Sequence, residues 1–283
     1  MQDFQGRTAV ITGAGSGFGR EFAKACAAEG MNLVLADLRA DGLAATAALP
    51  ELAGCEVLTQ TCDVAKAEQV EALATAAEAH FGKLHLVFNN AGVAVSGPLW
   101  TATLDEWNWT LGVNLMGVVH GVRSFVPRLL AHGEPAHVVN TASIAGMVSG
   151  AGQGIYCVSK HAVVALSEVL HHELRMVSGR IGVSVLCPAF VPTGIADSNC
   201  QRPAEYGARN AHPMAQAVED MARKAVAKGR ISAAEIAATT MQAVRENRFY
   251  ILTHEKTKLA VEGRLRHILD GLPPHDPMTS QAF

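Results

Sequence analysis

The feature that most constrains the fold is a short apolar run that ends in closely spaced glycines. Residues Thr8 to Thr12 read as a strand, and Gly13, Gly15, Gly17 and Gly19 follow directly, at the start of a helical pattern. Glycines let a backbone turn sharply and approach a ligand closely. A helix N-terminus also offers free N–H groups and a positive dipole end to a phosphate. The turn therefore favours a bound pyrophosphate, although a glycine-rich turn without a ligand is the alternative.

The rest of the chain alternates between strand-like and helical patterns. After 8–12, strands are predicted at about 32–36, 56–59, 84–88, 136–141, 181–186 and 249–253. Helices are predicted between and after them, at about 18–29, 40–49, 66–81, 104–130, 156–177, 232–245 and on to about 269. Strands alternating with helices form βαβ units. We therefore predict the α/β class, as a single-domain, Rossmann-type, doubly wound parallel sheet of about seven strands with helices on both faces.

That domain is predicted to cover residues 1–270, with residues 271–283 as a C-terminal tail. Residues 194–230, called the lid segment below, lack strand patterns and carry two weak helical patterns. A segment of this kind, placed after the sixth strand, suits a substrate lid. An ordinary helical excursion on the surface is the alternative.

The composition argues against several other classes of protein. Apolar residues make up 49% and charged residues 17%, while the net charge is −3 without a basic run, which argues against nucleic acid as a partner. We expect no membrane association, because no apolar segment approaches the ~20 residues of a span and no signal peptide is recognisable. The six cysteines form no C-x-x-C pair, which predicts free thiols and a cytoplasmic location. Adjacent histidines in His171-His172-Glu173 would diverge by about 100° on a helix, so we predict no metal site.

Polar residues follow the predicted strands at the edge of the sheet where ligands bind. Asp37 ends the second strand, at a spacing from the glycine turn that is typical of an acidic residue contacting a ribose; a loop carboxylate is the alternative. Asp63 either caps the next helix or faces an adenine ring. The sequence Asn89-Asn90-Ala91-Gly92 suits a tight turn against which a ring or ribose can lie. Ser143 and Pro188 fall at the same edge.

A possible acid/base group lies beyond the fifth strand. Tyr156 and Lys160 are four residues apart in a helical pattern, so their side chains share one face. A free phenol has a pKa near 10, and a neighbouring ammonium group is expected to lower it. Ser143 precedes the tyrosine by thirteen residues and could hold a substrate oxygen. Together these groups could move a proton to or from a hydroxyl or carbonyl oxygen, although such a Tyr/Lys pair alone is more often an exposed helical face.

Taken together in their order, these motifs resemble the short-chain dehydrogenase/reductase family over about residues 6–249. Thr12-Gly13-x-x-x-Gly17-x-Gly19 looks like the family's cofactor turn, and Asn89 to Gly92 looks like its strand-four motif. Four residues match its catalytic tetrad in order and spacing, namely Asn114, Ser143, Tyr156 and Lys160. Asn114 read by itself, inside a helical pattern, indicates a kink, a bound water or nothing at all.

The resemblance implies a hydride transfer between a nicotinamide cofactor and a substrate carbon. Tyr156 would be the general acid/base, and Lys160 would hold the nicotinamide ribose and lower the phenol's pKa. Ser143 would orient the substrate oxygen, and Asn114 would position a water. The residues implied to bind the cofactor are Gly13, Gly15, Ser16, Gly17, Phe18, Gly19, Asp37, Asp63, Val64, Asn90, Ala91, Gly92, Tyr156, Lys160, Pro188, Val191 and Thr193.

The cofactor is predicted to be NAD. Ser16 and Leu38 are not basic, at two positions where NADP-dependent members of the family often carry charge, but Arg39 could attract a 2′-phosphate. An NADP-dependent carbonyl reductase is therefore an alternative, and a non-catalytic nucleotide-binding member of the fold is another. The sequence departs from the family's pattern at Ala189, where a glycine usually follows the proline. We expect this alanine to alter the nicotinamide pocket slightly.

The substrate is predicted to be a small hydrophobic secondary alcohol or its ketone. The residues implied to surround it are Val95, Ser143, Ala145, Met147, Tyr156, Phe190 and Met214, none of which carries a charge at neutral pH. Burying an unpaired anion against such a wall would be costly. Arg202, Arg209 or His212 of the lid segment could instead turn inward and hold an anion. The resemblance also implies a homodimer or homotetramer packed through the helices of Asn114 and Tyr156.

Overall fold

The computed structural model describes residues 1–208, 210–275 and 277, and within them it contains one seven-stranded sheet. All of its strand pairs are parallel, and the strand order is β3-β2-β1-β4-β5-β6-β7. The strands are β1 (Thr8–Thr12), β2 (Asn32–Asp37), β3 (Val57–Thr61), β4 (Leu86–Asn89), β5 (Ala136–Thr141), β6 (Ile181–Cys187) and β7 (Tyr250–Leu252). The predicted doubly wound parallel sheet is thereby confirmed.

Helices cover both faces of the sheet. They are α1 (Gly17–Ala28), α2 (Ala40–Ala47), α3 (Ala67–Phe81), α4 (Leu104–Leu111), α5 (Gly117–His132), α6 (Gly154–Val177), α7 (Pro213–Ala227), α8 (Ala233–Arg245) and α9 (Thr257–Leu269). Within β1, Ile11 packs on the layer that contains α1 and α8, and Val10 packs on the layer of α3, α5 and α6. Side chains alternate between the two faces of a strand. Because both faces are covered, the central strands β1, β4 and β5 are buried along their whole length, and most of their residues are apolar.

The helix predicted at 104–130 is interrupted by a π turn at Gly112–Met116. Asn114 lies in this turn and is completely buried. Its Oδ1 accepts a hydrogen bond from the Val93 backbone N–H at 2.8 Å, and its Nδ2 donates to the Val93 carbonyl at 2.9 Å. π turns are rare inside helices and occur often at functional sites. The interruption therefore fixes the side chain of Asn114 against the loop that follows β4.

Before α7, the lid segment contains two 3-10 helices, the longer Gly194–Gln201 and the three-residue Ala204–Tyr206. Arg209 of this segment, together with residues 276 and 278–283 of the predicted tail, lies outside the described residues. Among the helices of the described ranges, none combines the length and the apolar character that crossing a membrane requires.

The order of the strands reverses between β1 and β4, and their ends are joined by one hydroxyl group. Thr12 Oγ1 donates to the Phe88 carbonyl at 3.1 Å and accepts from the backbone N–H groups of Asn90 at 2.9 Å and Ala91 at 3.2 Å. In open α/β sheets, ligands bind outside the carboxyl ends of the strands at such a reversal. The fold therefore places a ligand cleft beside Thr12.

The glycine turn leaves no room for a side chain at Gly19. A Cβ there would lie 2.0 Å from the carbonyl oxygen of Gly13 and 2.6 Å from its carbon, both of which are backbone atoms. We expect Gly19→Ala to lower the free energy of unfolding by about 1–3 kcal/mol, as overpacked sites do. Urea unfolding checks this against Gly179→Ala, where a Cβ meets nothing within 4 Å. Equal stability of the two variants would contradict the packing described here.

Candidate active site

One cleft runs along the carboxyl ends of the central strands and brings together most of the predicted site residues. Those that line it are Gly13, Ser16, Gly17, Phe18, Asp37, Asp63, Asn90, Ala91, Gly92, Ser143, Tyr156, Lys160, Pro188, Val191 and Thr193. Gly15, Gly19, Val64 and Asn114 are not among the lining residues. Gly15 nevertheless contacts the cleft's Asp37, and Asn114 contacts the loop after β4.

Asp37 ties the glycine turn to the end of β2. Its Oδ2 accepts from the Gly15 N–H at 2.9 Å, and its Oδ1 accepts from the Arg39 N–H at 3.0 Å. Arg20 supports the same turn, because its Nη2 donates to the Gly15 carbonyl at 2.7 Å. The carboxylate is thus held at one end of the cleft, where Arg39 also lies. Both groups that bear on the choice between NAD and NADP are therefore present at this end.

Glycines keep the middle of the cleft open. A Cβ on Gly92 would lie 3.5 Å from Lys160 Nζ and 3.4 Å from Asn114 Oδ1. A Cβ on Gly17, at the N-terminus of α1, would lie 3.6 Å from Thr193 Cβ. The absence of side chains leaves a continuous path from the α1 N-terminus to Lys160. These residues fit a nicotinamide dinucleotide whose phosphates lie against the helix N-terminus.

The other end of the cleft holds Ser143, Tyr156 and Lys160. Lys160 is 3% exposed, lies with its Nζ 5.7 Å from the centre of the Tyr156 ring, and donates to the Thr141 carbonyl at 2.9 Å. Ser143 is buried at the end of β5, where its Oγ accepts from the Ala145 N–H at 3.1 Å. It also lies near enough to the phenol for its hydroxyl to lower the pKa of Tyr156. A serine, a phenol and an ammonium group therefore meet at one place.

Burial controls the protonation of this group. It raises the pKa of Tyr156 to about 12, and the Ser143 hydroxyl opposes this rise only in part. Burial also lowers the pKa of Lys160 to about 8. The expectation that Lys160 lowers the pKa of Tyr156 is therefore not met in this structure. The physical reason is that removal from water disfavours both charged forms, and here this effect is the larger one.

Asn114 is connected to α6, the helix that carries Tyr156, as well as to the loop after β4. Its Nδ2 donates to Ser159 Oγ at 3.0 Å, and Ser159 Oγ in turn donates to the Tyr156 carbonyl at 2.8 Å. Both polar atoms of the Asn114 side chain therefore hydrogen-bond to protein atoms. Its role in positioning a water therefore remains a prediction.

Most of the residues predicted to surround the substrate lie outside the cleft lining. Val95 packs with Trp109 and Ile155 in a buried cluster. Ala145 and Met147 belong to the turn after Ser143, and Met147 packs toward the buried Ala260 of α9. Neither Phe190 nor Met214 lines the cleft, and Met214 is 48% exposed.

Another set of side chains forms this end of the cleft. The lining residues that the sequence analysis missed include Val93, Trp109, Val113, Ile195, Ser198, Gln201 and Val226. Trp109 and Val113 are four residues apart and share one helical face, which gives a weak signal that they act together. The lid residues carry no comparable signal, because their approach depends on tertiary contacts.

The fold and the site agree with comparisons to known proteins. The chain matches the family described as short chain dehydrogenase over residues 7–204. It is 34% identical to the "CLA biosynthesis dehydrogenase/reductase" of Lactiplantibacillus plantarum, covering 96% of this chain and 97% of that protein. It is 35% identical to the "1-deoxy-11-beta-hydroxypentalenate dehydrogenase" of Streptomyces exfoliatus, with 96% and 93% covered.

A solved structure is more similar still. A short-chain dehydrogenase/reductase from Burkholderia phymatum, in complex with NAD, shares 49% identity with a TM-score of 0.95, covering 98% of this chain and 99% of that one. The chain therefore belongs to the short-chain dehydrogenase/reductase family, as its motifs indicated. It is an oxidoreductase of the class that acts on alcohols.

The lowered pKa of Lys160 has a consequence for stability. Between about pH 8 and 10.5 the unfolded lysine holds a proton that the folded one has lost, so the stability of the wild type rises with pH. We expect the wild type to gain stability over Lys160→Met in that window, by up to about 1.4 kcal/mol per pH unit. Below about pH 8 the difference between the two proteins is expected to be constant.

Urea unfolding of both proteins between pH 7 and about pH 10 measures this difference. Lys258→Met is the matched control, since the Lys258 side chain is 53% exposed. If the difference in free energy of unfolding between wild type and Lys160→Met does not change across this pH range, the pKa of Lys160 is not lowered in the folded protein.

Proposed function

We propose that the protein transfers a hydride between NAD(H) and a hydrophobic secondary alcohol or ketone, with Tyr156 as the general acid/base. The observation that carries this proposal is the meeting of Ser143, Tyr156 and Lys160 at one end of a cleft whose other end is the glycine turn. A serine and a phenol suit an alcohol or carbonyl oxygen, and the open path to the turn suits a dinucleotide.

The nicotinamide ring, when bound, supplies or accepts the hydride. The chain's own residues handle the oxygen and its proton. The phenol of Tyr156 gives a proton to the oxygen during ketone reduction and takes one during alcohol oxidation. Ser143 orients that oxygen by a hydrogen bond, and Lys160 provides positive charge beside the phenol and holds the cofactor's ribose. Asn114 keeps the strand-four loop in place and is proposed to position a water for proton relay.

The proposed substrate is neutral. Of the charged side chains that line the cleft, Asp37, Arg39 and Asp63 lie at the ends of β2 and β3, and only Lys160 lies beside Tyr156. Two candidate anion anchors of the lid segment have other partners. Arg202 pairs with Glu106 at 3.6 Å, and His212 accepts the Met214 N–H at 3.2 Å. Arg209 lies outside the described residues.

NAD is the proposed cofactor. Support comes from the position of Asp37 at the end of β2 and from Leu38, which follows it and carries no charge. A fixed carboxylate suits ribose hydroxyls and repels a 2′-phosphate. Arg39 is the observation that favours NADP. The similar protein from Burkholderia phymatum, whose structure contains NAD, favours NAD over NADP as the cofactor.

We also propose a homodimer or homotetramer in the cytoplasm. On α6, Val158, Val169 and Met176 are 47%, 55% and 84% exposed, and their spacing places them near one face of the helix. An apolar stripe of this kind suits a subunit contact. Light scattering that gives a monomer would contradict the proposed oligomer.

The proposed cytoplasmic location rests on the cysteines. All six are free, which suits a reducing compartment. Recovery of the protein from a secreted fraction would contradict a cytoplasmic location.

The reaction is tested with pairs of ketones of similar size, one neutral and one carrying a carboxylate. We expect NADH-dependent reduction with kcat/KM at least about tenfold higher for the neutral member, because Lys160, the one cation among the lining residues beside Tyr156, is proposed to hold the cofactor's ribose and would leave an anion without a partner. Absorbance of NADH measures the rates. Faster turnover of the keto acids would contradict a neutral substrate, and no turnover of any ketone with either cofactor would contradict the proposed reaction.

The proton carrier is tested with Tyr156→Phe. We expect this variant to lose at least ~100-fold in kcat, which is the usual contribution of general acid/base catalysis, while NADH still binds. Fluorescence titration of NADH supplies the control for binding. The exposed Tyr250→Phe is the matched variant, because Tyr250 lies on the outermost strand. Near wild-type kcat in Tyr156→Phe would contradict the assigned role.

The choice of cofactor is tested by comparing kcat/KM for NADH and NADPH with one ketone. We expect at least a ~tenfold advantage for NADH, because the Asp37 carboxylate would be left beside a phosphate in the other case. Asp37→Asn removes the charge and is expected to reduce that advantage, whereas Asp41→Asn, on the first turn of α2, is the matched control. A tenfold advantage for NADPH would establish the alternative through Arg39.

A further inference from the structure

A tryptophan forms part of the cleft wall near the reacting group. Trp109 and Val113 line the cleft together with Ser198 and Gln201 of the lid segment. In a buried cluster, Trp109 also packs with Ile155, the residue directly before Tyr156. Trp109 as a whole is only 2% exposed. Trp109 is therefore a fixed part of the cleft wall that packs against the residue next to Tyr156.

The lid segment holds this indole from its other side. The guanidinium carbon of Arg202 lies 5.4 Å from the centre of the Trp109 ring, and the Arg202 side chain is 3% exposed. Within the described part of the chain, its Nε and Nη2 have no hydrogen-bond acceptor. A guanidinium group lying on an aromatic face accounts for donors left in this state. The guanidinium group of Arg202 thus lies over the indole, and its Nη1 also donates to the Ala208 carbonyl at 3.4 Å.

An ion pair fixes the guanidinium group in that place. Arg202 Nη1 lies 3.6 Å from Glu106 Oε1, and the Glu106 side chain is 1% exposed. Glu106 precedes Trp109 by three residues on α4, where its Oε2 accepts the Thr103 N–H at 3.0 Å. Removing one partner of a buried pair leaves an uncompensated charge, which is strongly unfavourable. The wall of the cleft and the lid segment are therefore held together as one unit.

We propose that Trp109 is the specificity-determining wall of the substrate end, and that Arg202 is a positioning residue that acts through it. The consequence is a limit on the shape of the substrate. Slim or flat neutral carbonyl compounds are accepted, and compounds with bulky groups beside the reacting carbonyl are rejected. This inference rests on the proposed function, because it assumes that Tyr156 meets the substrate oxygen.

The role of Trp109 is tested with cyclohexanone and 2-tert-butylcyclohexanone. Both react at a ring carbonyl, and they differ in the bulk beside it. We expect the wild type to prefer cyclohexanone. Trp109→Leu is expected to raise the relative kcat/KM of the bulky ketone by about tenfold, the scale on which a pocket discriminates apolar groups. An unchanged ratio in Trp109→Leu would overturn the assignment of Trp109.

The role of Arg202 is tested by a double-mutant cycle. Arg202→Met is combined with Glu106→Gln so that no buried charge is left unpaired. In the wild-type background this pair of changes is expected to shift the ratio in the same direction by about threefold, and in Trp109→Leu to have no further effect. Equal shifts in both backgrounds would show that Arg202 does not act through Trp109.

A control and a second readout separate positioning from a general effect on the lid segment. Arg223→Met is the control, since Arg223 joins Asp197 and Asp220 at 3.0 and 2.9 Å within that segment and is half exposed. It is expected to leave the ratio unchanged. The second readout is the fluorescence of Trp109 in a Trp100→Phe/Trp107→Phe protein, which retains one tryptophan. Loss of Arg202 is expected to shift its emission to the red and to speed its quenching by acrylamide.

These results distinguish the inference from the proposed function. If no ketone is reduced by the wild type, the proposed reaction is wrong, whereas the fluorescence still reports whether Arg202 holds the indole. If ketones are reduced but neither the ratio nor the emission changes, the inference alone is wrong. Should the paired variant fail to fold, Arg202→Lys keeps the charge and removes the guanidinium group that lies over the indole. It is expected to give the same red shift, and an unchanged emission would overturn the role of Arg202.

Discussion

The site depends on a ladder of buried hydrogen bonds across the ends of the central strands. Thr12 joins the glycine turn to the loop after β4. Farther into the sheet, Asn89 Nδ2 donates to Asn140 Oδ1 at 2.9 Å, and Asn140 Nδ2 donates to Ser167 Oγ at 3.0 Å. Ser167 lies on α6, the helix that carries Tyr156. The ladder therefore connects the proposed phosphate end to the proposed catalytic end through groups that would be costly to leave unpaired.

The same burial that orders the site also opposes its charged forms. The pKa of Tyr156 is raised to about 12 and that of Lys160 is lowered to about 8. A phenol in this state donates a proton readily only to a strongly basic oxygen, and accepts one only when positive charge is near. The oxidised cofactor would bring such a charge into the cleft. In this account the reactivity of the phenol depends on what is bound beside it, which links proton transfer to binding.

Much of the fold could be predicted from local patterns. Apolar runs, helical periodicity and the glycine turn gave the seven strands and the helices, because each depends on residues close together in the chain. The spacing of Tyr156 and Lys160 placed both at one end of the cleft for the same reason. The π turn at Asn114 depends on bonds to Val93 across a loop, so periodicity indicated a continuous helix. The wall formed by Trp109 and Gln201 depends on how the lid segment packs, and motif matching placed other residues there.

The account's central claim is that removal from water raises the pKa of the Tyr156 phenol, and that bound oxidised cofactor would lower it. The most direct measurement is a titration by tyrosinate difference absorbance, in which the curve of Tyr156→Phe is subtracted from that of the wild type. Without cofactor the difference is predicted to titrate near pH 12. With saturating NAD⁺ the pKa of the Tyr156 phenol is predicted to fall by at least about one unit, since a nearby positive charge favours the phenolate. A phenol that titrates near 10 without cofactor, or one whose pKa is unchanged by NAD⁺, would contradict the account.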